Sequence, residues 1–138
     1  MKKNENTRTD TQLNYTILIV EDVLSWQKTF KRFLQNEPFI ISVASNYQEA
    51  LNLTETQSFD LIILDVHLSE MPDNIDGLHI GKKLWLENDQ VKIIIVTGTG
   101  DPSSHLSSSG FVPIYVLKKH LLKQDDFIEK IYDALAQE

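Results

Sequence analysis

The sequence has no cysteine, which removes disulfides, thiolate metal sites and cysteine nucleophiles together and fits an intracellular protein. It is also short of positive charge, with 13 Lys and Arg against 20 Asp and Glu for a formal net charge of -7 at pH 7. A nucleic-acid backbone or an anionic membrane would be repelled at long range, so neither direct nucleic-acid contact nor membrane association is expected. No apolar run approaches the roughly 18 residues that a membrane span needs. Lys2-Lys3 has no apolar stretch behind it and so does not open a secretory signal. A cytoplasmic location follows as the expectation. Internal repeats are absent as well.

What is present is enough apolar material for one core: 41% of 138 residues are hydrophobic, sufficient for one well-packed domain and too little for two. Residues 1–14 are almost all polar and are expected to form a disordered tail, leaving 15–138 as the single domain. Tyr15–Val20 is a β-branched run that ends in Glu21-Asp22. Val23, Trp26, Phe30, Phe33 and Leu34 recur at helical spacing until Pro38 stops the pattern. Phe39–Ala44 reads as a strand, and Asn46 with Glu49 three residues on forms a capping box for the next helix. Leu61-Ile62-Ile63-Leu64 is an unbroken apolar run leading into Asp65, the pattern of a strand buried on both faces. A loop over Val66–Asp76, a helix over Leu78–Asn88 and a strand over Val91–Val96, ending at Thr97, follow. The serine-rich segment 101–109 predicts a short or mobile helix, Ile114–Leu117 a fifth strand ending in Lys118-Lys119, and Phe127–Leu135 a last amphipathic helix. Five strands alternating with five helices give a three-layer α/β sandwich around a parallel sheet, with right-handed crossovers.

Open parallel sheets bind ligands beyond the carboxyl ends of their strands. Those ends carry Glu21-Asp22, Asp65, Thr97 and Lys118 here. If the first and third strands are neighbours, three carboxylates converge, and their mutual repulsion calls for a cation among them. A hard divalent ion such as Mg²⁺ suits an all-oxygen donor set and keeps waters that a phosphate can replace. Thr97 and Lys118 would then meet other phosphate oxygens, leaving Asp65 as the nucleophile.

On these residues the chain resembles the receiver domain of two-component response regulators: an acidic pair after strand one, Asp65 after strand three, Thr97 after strand four, and Lys118 after strand five with Tyr115 three residues before it. The resemblance covers about Tyr15 to Glu138. It implies a flavodoxin-like (βα)5 fold with strand order 2-1-3-4-5. It implies Asp65 as phosphoacceptor, Asp22 as a direct Mg²⁺ ligand, Glu21 as an acid acting mostly through metal-bound water, and the backbone carbonyl of His67 as a further ligand. It also implies Thr97 as the hydroxyl that meets the phosphoryl group, Lys118 as the counter-ion, and Thr97 with Tyr115 as the switch. Lys119 competes for the counter-ion place, but strand alternation puts the two lysines on opposite faces and only Lys118 has the spacing from Tyr115.

Two positions depart from the family pattern. The proline usually found four residues after the phosphoacceptor is Ser69, with Pro72 and Gly77 displaced, so the adjoining loop is about four residues longer than usual. Lys119 stands where a proline often follows the family's lysine. Neither removes a chemical group. The expectation is a stand-alone receiver, a signalling switch and not an enzyme on separate substrates, that takes a phosphoryl group from a histidine kinase or phosphotransfer protein and signals to a downstream effector protein. The alternatives are a pseudo-receiver that only binds proteins and a flavin-binding redox protein of the same fold. The latter needs a Ser/Thr/Gly-rich phosphate loop, where this chain has Glu21-Asp22-Val23-Leu24.

Overall fold

The strand runs read from the sequence pair into one parallel sheet. The computed structural model of the chain describes residues 14–66, 76–98 and 101–137. In chain order its elements are β1 (Tyr15–Val20), α1 (Leu24–Leu34), β2 (Phe39–Ala44), α2 (Tyr47–Thr56), β3 (Leu61–Val66), α3 (Asp76–Glu87), β4 (Ile93–Thr97), α4 (Ser103–Ser109), β5 (Tyr115–Lys118) and α5 (Gln124–Ala136). The sheet order is β2-β1-β3-β4-β5. This is the 2-1-3-4-5 order of the flavodoxin-like class. The 1–14 tail and the 66–76 loop lie almost wholly outside the described residues.

α1, α2, α3 and α5 bury apolar residues against the sheet, so the protein has two cores, one on either face. Leu18, Val20, Ile62, Leu64, Val66, Ile93 and Ile95 face α2, α3 and α4. Ile17, Ile19, Leu61, Ile63, Ile94 and Val96 face α1 and α5, where Phe30, Leu34, Phe127 and Ile131 close the layer. Every residue of β3 is buried, which is why its sequence shows no polar alternation.

Local chemistry fixes the element ends that matter for the site. Asn46 Oδ1 accepts from the Glu49 backbone N–H at 2.8 Å, and Glu49 Oε1 accepts in return from Ser45 N–H at 2.7 Å. This capping box starts α2 directly beneath the acidic end of β1. Gly77, at the start of α3, lies so close to β3 that a Cβ there would come within 2.8 Å of Val66 Cγ1 and of Tyr47 Oη. The helix can rest against the strand only because nothing projects from that position. The serine-rich segment does form a helix, though only a seven-residue one with no fully buried residue. Asp101 Oδ1 accepts from Ser103 N–H at 3.0 Å at its start, and Gly110 ends it at φ 79°, the left-handed conformation that favours glycine. One element was not foreseen: a 3-10 turn over Lys119–Leu121 directly after β5.

Candidate functional site

β1 and β3 are adjacent, with Val20 paired to Leu64, so the residues that follow these pairs meet at the carboxyl end of the sheet. Carboxylate oxygens of Glu21, Asp22 and Asp65 all lie within 4.8 Å of one another. Glu21 and Asp65 are buried, at 1% and 3% exposure, while Asp22 is exposed. A pocket of about 120 Å³ opens beside them, lined by Val20, Ser45, Asn46 and Tyr47 as well as the three acids.

Glu21 is held on several sides. Its backbone N–H donates to Ala44 O at 3.0 Å, extending the β1–β2 ladder by one bond. Its carbonyl accepts from Gln27 Nε2 at 2.6 Å, which ties α1 to the strand end. The side chain turns back so that Oε2 accepts from Val23 N–H at 3.0 Å, and Oε1 lies 2.8 Å from the ammonium of Lys119. Burial pushes the Glu21 carboxyl up to about 6; the Lys119 hydrogen bond opposes the rise and the Asp65 charge adds to it.

Here the structure corrects the sequence reading. The lysine at the carboxylates is Lys119, not Lys118. Lys119 is buried, with its Nζ 3.3 Å from Asp65 Oδ1 as well as 2.8 Å from Glu21 Oε1. Lys118 is exposed. The reason is sheet-face parity. Asp65 pairs with Val96, and Val96 with Leu117, so these three share a face, the one packed against α1 and α5. Lys119, two residues beyond Leu117, keeps that face, whereas Lys118 pairs with Thr97, and Thr97 with Val66, on the other. The three-residue spacing from Tyr115 therefore pointed to the wrong lysine. Tyr115 shares the face of Lys119, and its hydroxyl donates to Asp133 Oδ2 of α5 while Lys130 Nζ sits 5.1 Å from its ring centre. That bond, made to a carboxylate, raises the phenol above its ordinary range.

Thr97 is fully buried at the end of β4, next to Asp65 in the order of strands but with the opposite parity. His67, whose carbonyl was expected to complete a metal site, lies outside the described residues. The sequence reading did not include a contact between Trp26 and a lysine: the Trp26 ring of α1 faces Lys119, with Nζ 5.2 Å from the centroid. The apolar spacing of α1 marked Trp26 as a core residue and gave no sign of a cation above it.

The donor set is chemically coherent for a hard cation. All its atoms are carboxylate oxygens, and among the described residues three carboxylates against the Lys119 ammonium leave an excess of negative charge in a small volume, two of the three acids being buried. Mg²⁺ fits such a set.

A doubly wound parallel sheet with a buried aspartate at the end of its central strand, flanked by two acids and a lysine, places the chain among the flavodoxin-like α/β proteins. The family within that class is given by comparison: the model of the response regulator receiver domain matches residues 17–132, and the chain belongs to that family. Among curated proteins, the transcriptional regulatory protein SrrA of Staphylococcus aureus is 37% identical over 90 residues, 65% of this chain. The match spans 35% of the length of that relative. Among solved structures, a response regulator from Thermotoga maritima superposes with a TM-score of 0.76 at 18% identity, covering 91% of this chain and 100% of the other. A CheY-like response regulator receiver domain protein from Methanospirillum hungatei JF-1 gives 0.75 at 25% identity, covering 88% and 94%. No helix among the described residues is long and apolar enough to cross a membrane.

Proposed function

We propose that the chain is a phosphoaspartate switch in which Asp65 accepts a phosphoryl group from a histidine kinase or phosphotransfer protein. The observation that carries this reading is the position of Asp65: 3% exposed, at the end of the central strand, within one small volume with Glu21, Asp22 and the ammonium of Lys119. An Asp65 carboxylate oxygen attacks phosphorus, the bond from phosphorus to the donor imidazole nitrogen breaks, and its electron pair leaves on that nitrogen, giving an acyl phosphate on Asp65. Lys119 balances the incoming negative charge, the part first given to Lys118. Asp22 and Asp65, with Glu21 beside them, are the residues that would hold Mg²⁺, which when bound would supply further positive charge for the phosphoryl oxygens.

The chain then acts as a switch and turns over no separate substrate. Thr97, at the end of β4, takes the role of the hydroxyl that meets the phosphoryl group, and Tyr115 that of the residue passing the change to α5. The output is contact with an effector protein in the cytoplasm, a reading supported by the net charge of -7, which disfavours nucleic acid. Incubation with acetyl phosphate and Mg²⁺ tests the core of this: intact mass should rise by one phosphoryl group, and Asp65→Asn should abolish the gain. A labelled Asp65→Asn protein would refute the assignment.

A further inference from the structure

The lysine at the site does not stand alone against the carboxylates; its other side lies on an aromatic wall. Lys119 Nζ is 5.2 Å from the Trp26 ring centre, and only 8% of the lysine side chain is exposed. Trp26 in turn packs tilted on Phe30 at 5.6 Å, Phe30 tilted on Phe127 at 5.5 Å, and Phe127 meets Phe33 edge-on at 6.2 Å. Phe30 and Phe127 are fully buried, so the column is anchored in the core between α1 and α5 and sets the plane of the indole.

We propose that Trp26 is a positioning residue that holds the Lys119 ammonium over its ring face and so keeps it beside Asp65. The inference rests on the functional reading above, in which Lys119 neutralises the phosphoryl group. Its physical basis is that an ammonium flanked only by carboxylates follows those carboxylates. Asp65 is a group that a divalent cation would compete for, and to the extent that it turns toward the cation Lys119 loses one of the two carboxylates that fix it. An indole face attracts a cation through its quadrupole without being a ligand for a hard metal, so its hold persists through that exchange. Lys119 is itself the first residue of the 3-10 turn, and its ammonium is placed by its contacts with Glu21, Asp65 and the Trp26 ring.

The test uses the full chain. Ring current from Trp26 should move the ε-methylene protons of Lys119 upfield in a ¹H–¹³C spectrum, and Trp26→Leu should return them to the ordinary lysine position. At saturating Mg²⁺, Trp26→Leu should slow phosphorylation by acetyl phosphate roughly fivefold, with Trp26→Phe between it and the parent. Because Trp26→Leu also disturbs packing on Phe30, the deciding series keeps shape constant. In a Trp85→Phe background, Trp26 is replaced biosynthetically by mono-, di- and trifluorinated tryptophans, which weaken the quadrupole stepwise. The rate should fall with each fluorine while the Mg²⁺ affinity, read by calorimetry, stays within twofold. A rate that ignores fluorination while Lys119→Gln is slow overturns the proposal and leaves the functional reading standing, as does an unshifted Lys119 ε signal in the parent. A Lys119→Gln protein as fast as the parent overturns the functional reading and this proposal with it.

Discussion

Replacing Lys119 with methionine keeps most of the side-chain volume and removes the only ammonium with an ion pair to Glu21 and Asp65 among the described residues. Both carboxylates are almost fully buried, and breaking a buried ion pair from one side typically costs about 3–5 kcal/mol, because the partner charge is left uncompensated. The site has an escape. Glu21 already sits near 6, so at pH 7 it can take up a proton for a modest free-energy cost once the ammonium is gone, and the expected loss comes down to about 2–4 kcal/mol. Urea unfolding in EDTA at pH 7 measures it. The same variant at pH 5 should lose less, since protonation is then nearly spontaneous. Millimolar Mg²⁺ should restore part of the loss at pH 7 by binding the folded state alone. Lys118→Met, at an exposed position of opposite parity, should stay within about 0.5 kcal/mol of the parent. Equal losses for the two lysines, or a loss at Lys119 that does not change between pH 5 and pH 7, would refute the assignment of the buried charge.

Three further outcomes follow from the same geometry. Asp22→Asn should weaken Mg²⁺ binding more than Glu21→Gln, because both Glu21 oxygens already face protein partners whereas Asp22 lies on the exposed side; calorimetric affinities that match for the two variants would contradict this. Glu21 is raised in the folded protein from 4.5 to about 6, so its contribution to stability is fully present below the unfolded value and is lost as pH rises through 6. Metal-free stability should therefore decline across that window, and the Glu21→Gln profile should be flatter there. Asn46→Ala removes the oxygen that caps α2 and should cost about 1 kcal/mol in chemical denaturation without changing which residue is phosphorylated.

How much of this was legible in the sequence depends on which physical signal each feature leaves. The strands were readable because β-branched runs ending in charge are short, apolar and bounded by turns, and the observed β1 and β2 have the limits read from the sequence. The acidic triad was readable for the same reason, since Glu21-Asp22 and Asp65 sit where those runs end. The α2 cap was readable too, with the difference that Glu49 closes the box on Ser45 and not on Asn46. The extent of α4 was harder, because five serines argue against a helix and the features that close it are an Asp101 side chain and a left-handed Gly110.

The choice between Lys118 and Lys119 turns on a quantity the sequence does not carry. Which face a residue takes is set by register across three strands, and β3 and β4 are buried on both faces, so no polar alternation marks either phase. Only when Asp65, Val96 and Leu117 are seen in one row does the face of Lys119 follow. The same row constrains how the site can speak to the surface. Tyr115, Leu117 and Lys119 alternate along one face, which separates the first from the last by about 13 Å at the usual rise per strand residue. Tyr115 therefore cannot sense the Lys119 ammonium by direct contact. Among the described residues, what lies between Asp65 and the Tyr115–Asp133 hydrogen bond along this face is the packing of Leu117 against the α1–α5 layer, in which Phe127, Ile131 and Ala134 are the buried α5 residues.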